Sequence, residues 1–135
     1  MRGIWLAVLI VTAETAPAHA EFDPSKMDLY VDVVLTEAAG EGLRGQTAVA
    51  EVLRNRDWST QGFCGLQRKN LRSFLRAETG QRVNARRAIR AALNGSNLSG
   101  GATHYENVRE FGRPRWAARM AVTTRLGRHT FYKNA

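Results

Sequence analysis

Two glutamates four positions apart, Glu37 and Glu41, are the side chains here best suited to moving protons. On a helix, Glu37 shares the face of Val33 and Val34, which precede it by four and three residues. A carboxyl at the edge of an apolar surface loses hydration, which favours its protonated form. A place near the C-terminal end of a helix acts in the same sense, because the macrodipole disfavours negative charge there. Glu41 adds a like charge close by. A carboxyl kept protonated at neutral pH is what a general acid requires, although arginines nearby in space would oppose this. Placement alone leaves a plain surface-charge reading of Glu37 ahead of the catalytic one.

The elements that must position these glutamates follow from periodicity. Apolar spacing predicts helices over about Met27–Ala39, Leu43–Arg56, Gln67–Glu78 and Val83–Leu93. The valines at 31, 33 and 34 make a strand a competitor for the first of these. The second carries an apolar stripe of Ala48, Val49, Val52 and Leu53. The third is expected to bury Leu71, Phe74 and Leu75, and the fourth Ala85, Ala88, Ile89, Ala92 and Leu93. Asn94 to Gly101 is rich in Gly, Ser and Asn and reads as a loop. Short strands are expected over Ala102–Asn107, Met120–Thr124 and His129–Lys133, the last two joined at Leu126-Gly127. The fold class is therefore α+β, a helical half of about four helices followed by a small antiparallel β half, in one domain.

Composition bounds the partners. The 135 residues hold 44% hydrophobic and 24% charged side chains, ordinary for a globular domain. A net charge of +8, almost all from arginine, attracts polyanions: nucleic acid, an anionic membrane surface or a carboxylate-bearing wall polymer. The charge is segregated. Met27 to Leu43 holds four acids and no base, whereas Arg68 to Arg90 holds eight bases and one acid. Arg2, the apolar run Ile4 to Val11 and the small-x-small pattern Ala18-His19-Ala20 have the layout of a secretory leader. On that reading residues 1–20 are removed, residues 21–135 form the working domain, and the protein is exported to the periplasm, envelope or medium. The apolar run is too short to span a bilayer, and no longer one follows it. Cys64 is the single cysteine; no internal disulfide can form, and it reads as a small buried apolar residue. One Cys and two His after the leader give no ligand cluster, so no metal and no cofactor are expected.

Three ordered segments identify a family resemblance. Glu37-Ala38-Ala39-Gly40-Glu41-Gly42, Gly45-Gln46-Thr47-Ala48-Val49-Ala50 and Val52-Leu53-Arg54-Asn55-Arg56 together resemble the opening signature of SleB/CwlJ-type cell-wall hydrolases. Gly100-Gly101-Ala102-Thr103-His104-Tyr105-Glu106-Asn107 is similar to that family's Gly-Gly-Ala-x-x-Tyr-x-Asn stretch. Gly127-Arg128-His129-Thr130-Phe131-Tyr132-Lys133 is similar to its closing Gly-x-His-x-Phe-Tyr segment. One departure is Arg72-Ser73-Phe74, where the family carries Gln-Phe-Ser, so Ser73 takes no role.

The resemblance implies a fold distantly like lysozymes and lytic transglycosylases. It implies cleavage of peptidoglycan glycan strands between N-acetylmuramic acid and N-acetylglucosamine, with Glu37 as general acid/base. A glycosidase needs a second carboxylate, for which Glu41 is the candidate, alongside a purely structural role at the Gly40–Gly42 turn. A lytic transglycosylase does not, since the muramic 6-hydroxyl attacks C1 itself. Gly101, Tyr105, Asn107, His129 and Tyr132 are the implied substrate-binding positions; Phe131 and one tyrosine could equally be core. Gln46 and Asn55 read as groups fixing local backbone. A monomer acting on peptidoglycan, with no nucleic-acid partner, is the expectation. The rivals are a wall-binding protein of the same fold without catalysis, and a basic nucleic-acid-binding protein whose Arg68–Arg90 segment follows phosphates.

Overall fold

The computed structural model describes residues 21–135; the leader expected over residues 1–20 lies outside them. A 3-10 turn at Pro24–Lys26, capped by the Asp23 side chain, leads into α1 (Met27–Ala38). Three further helices follow: α2 (Gly42–Asn55), α3 (Leu71–Ala77) and α4 (Arg82–Leu93). The second half holds β1 (His104–Glu106), a one-turn α5 (Val108–Phe111), β2 (Met120–Leu126) and β3 (His129–Asn134). The strands form an antiparallel sheet in the order β1-β3-β2. This is the α+β plan expected, four helices and then a small sheet, with α5 as an addition that its four residues were too short to announce. No helix among the described residues is long and apolar enough to cross a membrane.

α1 is a helix despite its valines because one broad face of it is enclosed. Tyr30, Val31, Val33, Val34, Leu35 and Ala38 are all buried, and a wide apolar helix face belongs against a core. It packs on α2 and α4, which lie against each other through Ala48, Val49, Val52, Leu53, Ala85, Ala88, Ile89 and Ala92. The first two acids of α1 balance the charge of α4. Asp32 pairs with Arg82 at 2.8 Å, and Asp28 pairs with Arg86 at 2.6 Å, tying α1 to α4. Past α2, Asp57 and Trp58 adopt left-handed backbone at φ 55° and 59°, a costly conformation for non-glycine residues. The Trp58 N–H donates to Leu53 O at 2.9 Å, and its ring packs on Phe22 and Tyr30, which holds the turn in place.

Several packing expectations are corrected. The third helix begins at Leu71 rather than Gln67, after a 3-10 turn at Cys64–Gln67. Leu71, Phe74 and Leu75 are half-buried, because that short helix lies across the outside of the core. Leu93, at the last turn of α4, is exposed. Cys64 is exposed, not buried: its neighbour Phe63 occupies the interior and Gly65 presses on α1, so the residue between them faces out.

The link between the two halves is a cluster on α2. Glu51 is fully buried, and its carboxylate accepts bonds from Ser96 Oγ (2.8 Å), Leu98 N–H (3.0 Å) and Ser99 N–H (2.7 Å). Arg54 donates to the carbonyls of Ala92 and Ser96, both at 2.7 Å, and Asn55 to that of Ala102 at 2.8 Å. Three side chains of one helix thus hold the loop that delivers β1. The bulge in β2 between Val122 and Thr124 adds a fourth tie, with Thr123 Oγ1 donating to Ser99 O at 2.5 Å. Glu51→Ala leaves three donors without their acceptor and should lower stability in urea unfolding by about 3 kcal/mol; a loss below about 1 kcal/mol would show that the loop is held elsewhere.

Candidate active site

Glu37 lies in the last turn of α1, half-exposed, at the mouth of the cleft between the helical half and the sheet. Its Oε1 accepts the Gly65 N–H at 3.1 Å. That bond requires glycine at position 65: a Cβ there would come within 2.5 Å of Thr36 Oγ1 and 2.6 Å of Thr36 Cβ. The Tyr105 phenol adjoins the Glu37 carboxylate. Burial, with the adjoining charge of Glu37, pushes the Tyr105 phenol well above its ordinary range, so it stays a donor.

Strand alternation decides which aromatic residues reach this place. Tyr105 pairs with Phe131 across β1 and β3, and its ring meets His129 edge-on at 4.8 Å and Phe131 at 5.6 Å. These three therefore share the sheet face turned toward Glu37. Tyr132, one residue on, points to the opposite face, buried beneath Trp116 at 5.3 Å. It serves there as a core residue and is not among the groups around Glu37.

Two open hollows of about 440 and 420 Å3 meet at Glu37 and share Thr36, Glu37, Arg68, Tyr105 and Glu106 as walls. Together they form a groove within the size range of small-molecule binding sites. The first arm runs past Glu41, Asn107, Glu110 and His129; the second runs past Arg56, Phe63, Cys64 and His104. A third hollow opens beside the hairpin, where Arg109, Arg125 and Arg128 line it and no carboxylate does.

The remaining expected residues fall into different places. Glu41 stands in the first arm, and its Oε2 accepts the Arg128 N–H at 3.3 Å, which ties the β2–β3 turn to the end of α1. That turn brings Gly127 hard against the same carboxylate, at φ 54°. Asn107 lies on the groove wall as the N-cap of α5, accepting the Glu110 N–H at 3.2 Å. Gly101 sits on the loop before β1, outside the walls of both arms, at φ 80°; its neighbour Gly100 is pressed against Thr123 of the bulge. Gln46 and Asn55 bond to the Ala39 and Ala102 carbonyls, the backbone-fixing role expected of them. Sequence reasoning passed over Gly65, Glu51, Arg56, Arg68 and Glu106. Arg56 and Glu106 lie within the segments that resemble the family and Arg68 opens the basic stretch, but no periodicity marks any of the five as a site residue.

His129 provides a pH signature. Burial holds its pKa below the ordinary 6.5, while Glu41, Glu37 and Glu106 pull it up more weakly. Between the folded and ordinary values the unfolded chain binds more protons, so stability falls as pH drops through that window. His104, lowered by the same cause, has the same sign. Urea midpoints followed from about pH 7.5 down to about pH 5 should decline less steeply in His129→Asn than in the native chain; identical slopes would contradict the burial.

Residues 40–132 match the family model described as Cell Wall Hydrolase, a span that begins three residues after Glu37. The chain is 34% identical over 120 residues to a spore cortex-lytic enzyme of Halalkalibacterium halodurans, covering 83% of this chain and 36% of that protein. It thus spans about a third of the length of that relative. Among solved structures, the catalytic domain of the Bacillus cereus SleB protein superposes with a TM-score of 0.59 at 28% identity, over 83% of this chain and 92% of that one. The catalytic domain of the germination-specific lytic transglycosylase SleB from Bacillus anthracis superposes at 0.58 with 27% identity, over 83% and 97%. With the model match spanning most of the described chain and the fold superposing on these domains over 83% of its length, the chain belongs to the cell wall hydrolase family.

Proposed function

We propose that the chain is an exported enzyme that cuts peptidoglycan glycan strands between N-acetylmuramic acid and N-acetylglucosamine, acting as a lytic transglycosylase with Glu37 as acid and then base. The observation that carries this reading is the position of Glu37 where the two arms of the groove meet, with the Gly65 N–H bonded to its carboxyl and the Tyr105 phenol beside it. A strand laid along both arms has its scissile bond at that junction. The relatives named as spore cortex-lytic enzyme and lytic transglycosylase support the substrate and the reaction class.

In the first step Glu37 gives its proton to the glycosidic oxygen as the C1–O bond breaks, and positive charge develops on the muramic ring. The leaving sugar departs with the proton. In the second step the Glu37 carboxylate takes the proton of the muramic 6-hydroxyl while that oxygen bonds to C1, closing a 1,6-anhydro ring and restoring the acid. No water enters the balance. Glu41 is engaged with the Arg128 N–H at the hairpin, which suits a route that uses one carboxyl. Export follows from the leader-like N-terminus and from a substrate that lies outside the cytoplasmic membrane.

Two substitutions test this. Glu37→Gln should leave the thermal melt nearly unchanged and lower the rate of fragment release from purified sacculi by about a hundred- to ten-thousand-fold; full activity would overturn the mechanism. Gly65→Ala, which forces Thr36 and the Glu37 carboxyl to shift, should lower kcat by about tenfold or more. An unchanged kcat would show that the Gly65 N–H does not position the acid. In the products of the native chain, muramic ends one water lighter than reducing ends mark transglycosylation. Reducing muramic ends would instead mean hydrolysis, with Glu41 or Glu106 as the base.

A further inference from the structure

The two arms of the groove differ in charge in a way that proton transfer at Glu37 does not use. Among the described residues the first arm is acidic: Glu41, Glu78 and Glu110 line it in addition to the shared Glu37 and Glu106, with Arg68 and Arg128 its arginines. Among the same residues the second arm has no carboxylate beyond the shared pair, and it is lined by Arg56 and Arg68.

Arg68 stands at the junction of the two arms. Its guanidinium lies over the Phe74 ring at 3.9 Å, a stacked contact that sets the plane of the fork. Among the described residues its guanidinium has no hydrogen bond or ion pair with protein, and only the backbone of Arg68 is bonded, to Gly65 O and Leu71 N–H. This sets it apart from Arg82 and Arg86, which are paired with α1 carboxylates, and from Arg54, which is bonded to carbonyls. Arg56 is held in a related way, over Phe63 at 4.7 Å, with one bond from Nη2 to Gln61 O at 2.6 Å and the rest of its fork unused. An arginine fixed by an aromatic ring, with its donors unused beside a reacting centre, is arranged for bidentate recognition of a carboxylate.

We propose that Arg68, assisted by Arg56, binds a carboxylate carried by the muramic residue and so dictates which sugar enters the second arm. This rests on the reading of the groove as a glycan site. The acidic arm repels that carboxylate and accepts the neighbouring sugar, which has none, so charge sets the register of the strand across Glu37. The carboxylate has two sources on the substrate: the lactyl group of a bare muramic residue, or the peptide stem attached through it.

Three substrates separate these sources: stem-bearing strands, strands stripped of stems by an amidase, and stripped strands whose lactyl carboxyl has been coupled to methylamine. The native chain should favour a carboxylate-bearing substrate over the neutralised one by about tenfold in kcat/KM, mainly through KM. Arg68→Gln should bring that ratio close to one. Arg68→Lys, which keeps the charge and loses the fork, should give an intermediate ratio and serves if the Gln variant does not fold. A preference for stripped strands assigns the lactyl group, and one for stem-bearing strands assigns the stem; either supports the proposal. No preference in the native chain, or one that survives Arg68→Gln, overturns it while leaving strand cleavage intact. A native chain that releases nothing from all three substrates overturns the glycan reading and this proposal together.

Discussion

The buried carboxylate of Glu51 is the contact on which the working geometry depends. Its three donors all lie between Ser96 and Ser99, on a loop that has no secondary structure of its own. Backbone N–H groups taken into the interior must be paired or they cost free energy. Glu51 supplies that pairing from the most enclosed helix face. With Arg54 and Asn55 it fixes where β1 starts, and β1 carries Tyr105 to Glu37. The distance from core to chemistry is thus bridged by one helix, one loop and one three-residue strand.

The glutamates divide the remaining work by what each one touches. Glu41 bonds the hairpin turn, Glu51 the loop, and Glu37 stands at the meeting point of two open arms, bonded by the Gly65 N–H with the Tyr105 phenol beside it. Asp28 and Asp32 are spent on α4 arginines. An overall charge of +8 therefore coexists with a groove that is acidic along one arm. The protein as a whole is drawn toward polyanions, while the charge of the groove lining differs from one arm to the other.

The helical half was largely legible in the sequence, because apolar spacing at α2 and α4 reports burial directly. The α1 valines were ambiguous on propensity and were decided by enclosure, a tertiary fact. Tyr105 and His129 were reached through the family resemblance, while the period of the strand, once paired, separated Tyr132 from them. Glu51 was invisible. It sits in an apolar run as one acid among alanines and valines, and only the folded loop supplies its partners. Gly65 and Arg68 were hidden for a related reason: a close approach to Thr36 and a stack on Phe74 join residues distant in sequence. Cys64 was misplaced because composition favours burying a lone cysteine, whereas the turn buries Phe63 in its stead.

The most direct test of the account is a crystal structure of Glu37→Gln bound to a muramic-containing tetrasaccharide. The strand should lie along both arms, with one glycosidic oxygen at about 3 Å from the substituted side chain and the muramic carboxylate beside Arg68. A strand seated in the arginine-lined hollow beside the hairpin, or a scissile oxygen closer to Glu41 or Glu106 than to position 37, would contradict it.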